Sequence, residues 1–229
     1  MKKKLWTSLL CLALAIPVLA ENNQHRLADA TTVLKTALTA KGGIPQSALD
    51  SAVCVVVYPH VKKIGAGVGV TYGRGVLTCR SGLQKTGEWG SPAMYSLNAG
   101  SVGPQIGGYS VDYVLLITNE TAADKILSGK LKLGADANAV AGPSKATTEG
   151  FNDEKLGASI LIYSRGEDGL FAGASLGDAS MEADDKANHK LYGRSIDANE
   201  IVRDGKVTVP KAAESFLAEL KRSQSAKSE

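Results

Sequence analysis

GAGVGVTYGRGVLTCR, residues 65–80, alternates glycine with Val, Tyr and Leu. A period of two is a strand signal, and glycine along one face marks a strand that another backbone approaches closely. Gly73-Arg74-Gly75 reads as a turn within it, so the stretch predicts a hairpin. Just upstream, residues 52–58 (AVCVVVY) are an apolar run of strand length, rich in β-branched side chains, which Pro59 stops. Further strands are expected at residues 93–98, 111–118, 158–164 and 170–175, the last two flanking the loop Arg165-Gly166-Glu167-Asp168-Gly169. Asp204-Gly205, between IVR and KVTV, is a two-residue turn signal.

Helices flank these strands. Leu27, Ala30, Leu34, Ala37 and Leu38 recur at helical spacing over residues 26–40, within an N-terminal helical region of residues 21–43 that Gly42-Gly43 ends. Asn119 caps a short central helix with Ala122, Ala123, Ile126 and Leu127 on one face and Gly129 at its end. Pro210 opens a last amphipathic helix carrying Ala213, Phe216, Leu217 and Leu220, and residues 223–229 read as a polar, frayed tail. The fold class is α+β: a mostly antiparallel sheet core with an N-terminal, a short central and a C-terminal helix, the main domain covering residues 44–222.

Residues 1–20 have the three parts of a cleavable signal peptide in order. Lys2, Lys3 and Lys4 form a basic start, residues 5–19 are almost wholly apolar, and Val18-Leu19-Ala20 prepares a cut between Ala20 and Glu21. The apolar run is about 15 residues, short of the roughly 20 that a spanning helix needs. An uncleaved anchor and lipidation at Cys11 are the alternatives. Leu10, which precedes Cys11, is not the small residue that lipidation favours. Export places the mature chain in a periplasm or outside the cell.

Cleavage changes the charge. The full chain has 26 Lys and Arg against 23 Asp and Glu; without the three signal lysines the balance is 23 to 23. A globally basic surface for nucleic acid is therefore not supported, and an anionic partner would have to meet a local patch. Cys54 and Cys79 are the two cysteines that remain. In an oxidising compartment such a pair can close a disulfide; the spacing alone leaves both states open.

Apparent catalytic motifs dissolve on inspection. Gly173-Ala174-Ser175-Leu176-Gly177 matches a nucleophile elbow, but Asp178-Ala179-Ser180 follows where a helix is needed, and His189 is the sole later histidine. Gly65, Gly67 and Gly69 lack dinucleotide spacing, and Gly142-Pro143-Ser144-Lys145 lacks the order of a phosphate loop. His25, His60 and His189 have no zinc-ligand spacing, and Asp178, Glu182, Asp184 and Asp185 read as a solvated acidic turn. No enzyme activity, cofactor or metal is expected.

Four segments, taken in order, resemble the SYLF domain family. They are IPQSALDSAVCVVVYPHVKKIGAGVG (residues 44–69), GEWGSPAMY (87–95), GPQIGGYSVDYVLLITNETAADKILSGKLKLGADANAVAG (103–142), and residues 163–192 with their Tyr-Ser-Arg, Gly-Leu-Phe-Ala-Gly and Asn-x-x-x-Tyr-Gly elements. The resemblance implies lipid binding and, as in yeast members, actin binding. Eukaryotic members are described as using a basic amphipathic N-terminal segment on phosphoinositides. Here that segment carries Arg26, Lys35 and Lys41 against Asp29, a thin basic face. An exported protein would not meet actin, so no actin partner is expected.

The leading expectation is a lipid-binding protein of the periplasm or cell envelope that contacts phospholipid or a membrane surface. The candidate contact residues are Lys62, Lys63, Arg74, Arg80, Lys85, Trp89 and Arg165. The alternatives are an envelope module that binds another protein and, more remotely, a hydrolase using Ser175.

Overall fold

The structure is a computed structural model and describes residues 22–82, 87–142, 159–166, 176 and 178–225; side chains at 103–105 and 223–225 are left aside. The expected signal peptide with its Ala20/Glu21 cut, Lys85, Ser175 and the 170–175 strand lie outside the described residues. The architecture is α+β.

Two long strands dominate, β1 (Cys54–Cys79) and β2 (Ala93–Ile117), paired antiparallel. Fully extended, the 26 residues of β1 would span about 85 Å. Yet Cys54 and Cys79, at its two ends, are joined by a disulfide with their Cα atoms 3.9 Å apart. The β1–β2 ribbon must therefore fold over on itself. Residues 54–66 run out paired with 106–117, and residues 68–77 return paired with 93–102. The apex lies at the register shift between Ala66 and Val68, where Gly67 (φ 76°) and Gly107 (φ 124°) occupy backbone that other residues rarely adopt.

Three expectations change here. There is no turn at Gly73-Arg74-Gly75, which stays within the strand. Its glycines serve close approach instead: a Cβ on Gly75 would sit 2.3 Å from the Val57 carbonyl oxygen, and one on Gly73 2.7 Å from Val61 Cγ2. The returning half can thus lie against the outgoing half. Pro59 does not end the strand, because among the described residues β1 pairs only with β2 and a bulge between Tyr58 and Val61 absorbs the missing N–H. At that bulge His60 adopts φ 51°, and its N–H donates to Asp112 Oδ1 at 2.8 Å. The strands expected at 93–98 and 111–118 are the two ends of one strand, β2.

The remaining strands are β3 (Lys130–Lys132), β4 (Ala139–Ala141), β5 (Ile160–Arg165) and β6 (Ser180–Ala183). The sheet order is β3-β6-β2-β5-β4, with β1 along the other edge of β2. Tyr95–Asn98 of β2 pair with β6, and Asp112–Ile117 pair with β5, so one strand serves two half-sheets. Among the described strands only β4 and β5 run parallel. Residues 99–111 of β2 have β1 as their sole described strand partner.

Alternation along the strands divides the apolar side chains between two cores. Val56, Tyr58, Leu77, Tyr95, Tyr113, Leu115 and Ile117 fill the inner core with the central helix α3 (Glu120–Leu127). Val55, Val57, Val76, Met94, Val114 and Leu116 face outward. They are covered by α1 (Asn23–Thr39), α2 (Gln46–Ser51), α4 (Asp185–Tyr192) and α6 (Glu214–Ser225), while α5 (Ala198–Val202) joins the inner core. The expected caps are present: the Asn119 side chain accepts from Ala122 N, and Pro210 precedes the 3₁₀ turn that leads into α6.

Asp204-Gly205 does not join two strands. It follows α5, which Asp197 and Glu200 start with a capping box and which buries Ile201 and Val202. The last helix runs on to Ser225, into the stretch read as frayed tail. Nor is the acidic cluster only a solvated turn: Asp184 Oδ2 pairs with the buried Arg26 at 3.1 Å, and its side chain caps α4.

Candidate functional site

The candidate surface lies around the ribbon's apex, where residues 99–111 of β2 have β1 as their sole strand partner among the described residues. Seven of the eight large apolar side chains exposed among the described residues lie on it: Ile64, Val68, Val70, Tyr72, Val102, Ile106 and Tyr109. Val102 is 87% exposed and Ile106 is 95% exposed, at the apex. The folded-over halves face one another across a cleft of about 480 Å³, lined by Lys63, Gly65, Gly69, Gly100, Ile106 and Tyr109 among others. Residues 61–75 and 96–111 contain Lys62, Lys63 and Arg74 and no Asp or Glu.

Of the expected contact residues the structure brings Lys62 and Arg74 together, while Lys63 faces the cleft on the other side of the strand. Lys62 is exposed. Lys63 is half-buried, its ammonium 5.5 Å from the centre of the Tyr113 ring and 6.0 Å from that of Tyr109. Arg74 lies over the Tyr72 ring at 5.6 Å. Lys62 and Arg74 meet across a second hollow of about 240 Å³ at the root of the ribbon, with Arg26, Asp29, His60 and Tyr72. Arg26 was not foreseen there, since helical periodicity cannot say which strand a helix residue faces. The exposed apolar apex was also missed; its one sequence signal is an apolar and glycine-rich run without any acidic residue.

Two candidates are not surface residues at all. Arg80 is 6% exposed and Trp89 is 4% exposed. The Arg80 guanidinium stacks on the Trp89 ring at 4.2 Å, and its Nε donates to the Ala52 carbonyl at 2.9 Å. Burial lowers the Arg80 pKa from its usual value. This pair packs the root of the ribbon. Arg165 ends β5 opposite Asp112, away from the apex register.

The motifs that carry the resemblance turn out to hold the fold. After Trp89, a Cβ on Gly90 would come 2.0 Å from the Val202 carbonyl oxygen. Pro92 O accepts from the Tyr192 hydroxyl at 2.5 Å. Asn188, fully buried, accepts from Met94 N at 2.7 Å and donates to Met94 O at 3.2 Å, so that its amide continues the strand's hydrogen bonding. Gly193 closes α4 with φ 71°.

A family model described as "Ysc84: Las17-binding protein actin regulator" matches residues 98–223, from the middle of β2 into α6. The chain belongs to this family. Similar curated proteins are an SH3 domain-containing protein of Schizosaccharomyces pombe, 30% identical over 180 residues, and LAS seventeen-binding protein 3 of Saccharomyces cerevisiae, 28% identical over 145 residues. The alignments cover 77% and 62% of this chain but only 40% and 30% of those relatives. This Ysc84-family chain thus spans less than half the length of either. Among the described residues no helix is long and apolar enough to cross a membrane, and no cluster of His, Cys, Asp or Glu could hold a metal ion.

Proposed function

We propose that this protein is an exported, non-enzymatic module of the bacterial periplasm or cell envelope that binds anionic phospholipid surfaces. The observation that carries the reading is the stretch of ribbon formed by residues 61–75 and 96–111, which has no acid and carries Lys62, Lys63 and Arg74. A local cationic patch on a chain whose mature charge balances meets the requirement that net charge alone cannot. The N-terminal helix is a poor alternative contact: Leu27, Ala30, Leu34 and Ala37 are fully buried against the outer core, and Arg26 is tied to Asp184. An exported chain does not meet actin, so the family's actin-regulator description is not extended to it.

Sedimentation of the processed protein with vesicles rich in phosphatidylglycerol tests this. Each basic residue held near an anionic surface contributes about 1 kcal/mol. Lys62→Glu with Lys63→Glu should therefore weaken binding by about 30-fold or more at low salt. Failure of the wild type to sediment sinks the proposal. A protein ligand is the second reading, favoured by the family's description as Las17-binding. Recovery of one envelope protein together with negative vesicle binding would establish it instead.

A further inference from the structure

The register of the ribbon orders its side chains by distance from the body of the protein. At the root, Arg74 pairs with Ser96 and Lys62 with Ser110. Next come the aromatic rungs, Tyr72 opposite Asn98 and Lys63 opposite Tyr109. Beyond them Ile64 and Val70 face Gly108 and Gly100, and the apex carries Val68 with Val102 and Ala66 with Ile106. Cations, then aromatics, then aliphatics is the order that a bilayer presents from headgroup through interface to acyl chain. We propose that the ribbon apex is a wedge that enters the membrane, with Val102 and Ile106 leading, Tyr72 and Tyr109 at the interface, and Lys62, Lys63 and Arg74 among the headgroups. The inference rests on the lipid-binding reading above and adds which atoms leave water.

Charge favours a bilayer over a second copy as the occupant. Residues 61–75 and 96–111 carry three cations and no acid, so two such surfaces repel at the same face, whereas anionic headgroups attract them. Exposed apolar side chains gathered around one apex, when elsewhere among the described residues only Val209 is comparable, mark a contact surface rather than ordinary surface. The reach of the ribbon limits the depth. From the Lys63 rung to Gly67 the ribbon reaches about 13 Å, enough to set the apex at the headgroup–acyl boundary and no deeper.

The experiment uses processed protein and phosphatidylglycerol vesicles, with two variants at highly exposed positions where folding is not at risk. Ile106→Trp reports the apex, since Trp89 is interior. Its emission, read as the difference from wild type so that buried Trp89 cancels, should be solvent-like in buffer, shift to the blue with vesicles, and be quenched more by a label near the headgroup than by one near the chain end. Val102→Ser with Ile106→Ser keeps every charge; it should bind about tenfold or more weakly and release completely at high salt, where wild type is partly retained. Two results overturn the wedge and leave electrostatic docking standing: an Ile106→Trp variant that binds with its emission unquenched, or a Val102→Ser/Ile106→Ser variant that binds like wild type. Emission already blue in buffer overturns it too, because the apex is then covered by a second copy or by the chain itself. No wild-type binding overturns the lipid reading and the wedge with it.

Discussion

Replacing Cys54 and Cys79 together by alanine probes what keeps the two ends of β1 side by side. The cross-link spans a sequence separation of 25, for which the chain-entropy relation gives about 3.5 kcal/mol of stabilisation through the unfolded state. Both cysteines are essentially inaccessible and share the inner core with Val56, Leu77 and Ile117, so the lost sulfur atoms add a packing cost of about 1 kcal/mol. The expected loss is about 4–5 kcal/mol, which at roughly 2–4 °C per kcal/mol for a chain of this size lowers Tm by about 10–15 °C. Urea unfolding followed by far-ultraviolet circular dichroism measures it against the oxidised wild type. Because the constraint acts on the unfolded chain, the variant should also show a larger m-value as its unfolded state expands. A loss below about 1 kcal/mol would refute the reasoning: the folded-over ribbon would then be held by its core contacts, and the bridge would be incidental.

Asn188→Ala should lower the unfolding free energy by about 2–4 kcal/mol in the same assay. It orphans the buried N–H of Met94, whose carbonyl keeps a second donor in Asp184 N. A change under about 0.5 kcal/mol would mean that the amide is not the strand partner described. High pH should unfold the protein. Burial, with Tyr109 nearby, pushes the Tyr113 phenol up to about 12 from 10.0, and burial raises Tyr58, Tyr95, Tyr163 and Tyr192 as well. Folded-state values above the unfolded one give stability that is whole below about pH 10 and is lost as pH climbs through about 12. Phenolate absorbance should therefore rise together with loss of structure. Gradual ionisation of these five near pH 10 with the fold intact would contradict this.

What could be read from the sequence was what is local. The Asn119 cap and the apolar faces of α1 and α6 are carried by residues within a few positions of one another, and each formed as expected. The ribbon was misread because glycine has two meanings. In Gly73-Arg74-Gly75 alternation looked like a turn, whereas the cause is a second strand half lying on top of the first, a contact that links residues 57 and 75. The placement of the candidate residues was hidden for a related reason. Arg74 and Arg80 sit on the same strand at even spacing, and parity assigns them one face. Distance from the apex decides their fates: Arg74 reaches the ribbon's flank, while Arg80 stacks on Trp89 inside the root.

Because β2 serves both half-sheets, β3 with β6 and β4 with β5 share one central strand. Melting one leaves the other with a bare edge through its centre, so the protein should open as one cooperative unit. Assembly is constrained in the same way. β1 and β2 are neighbours in sequence and can pair early, but the second edge of β2 waits for residues 160–165 and 180–183, far downstream. Until those arrive, the half-built molecule carries a long apolar strand with one side unpaired, the form most open to joining another copy edge to edge.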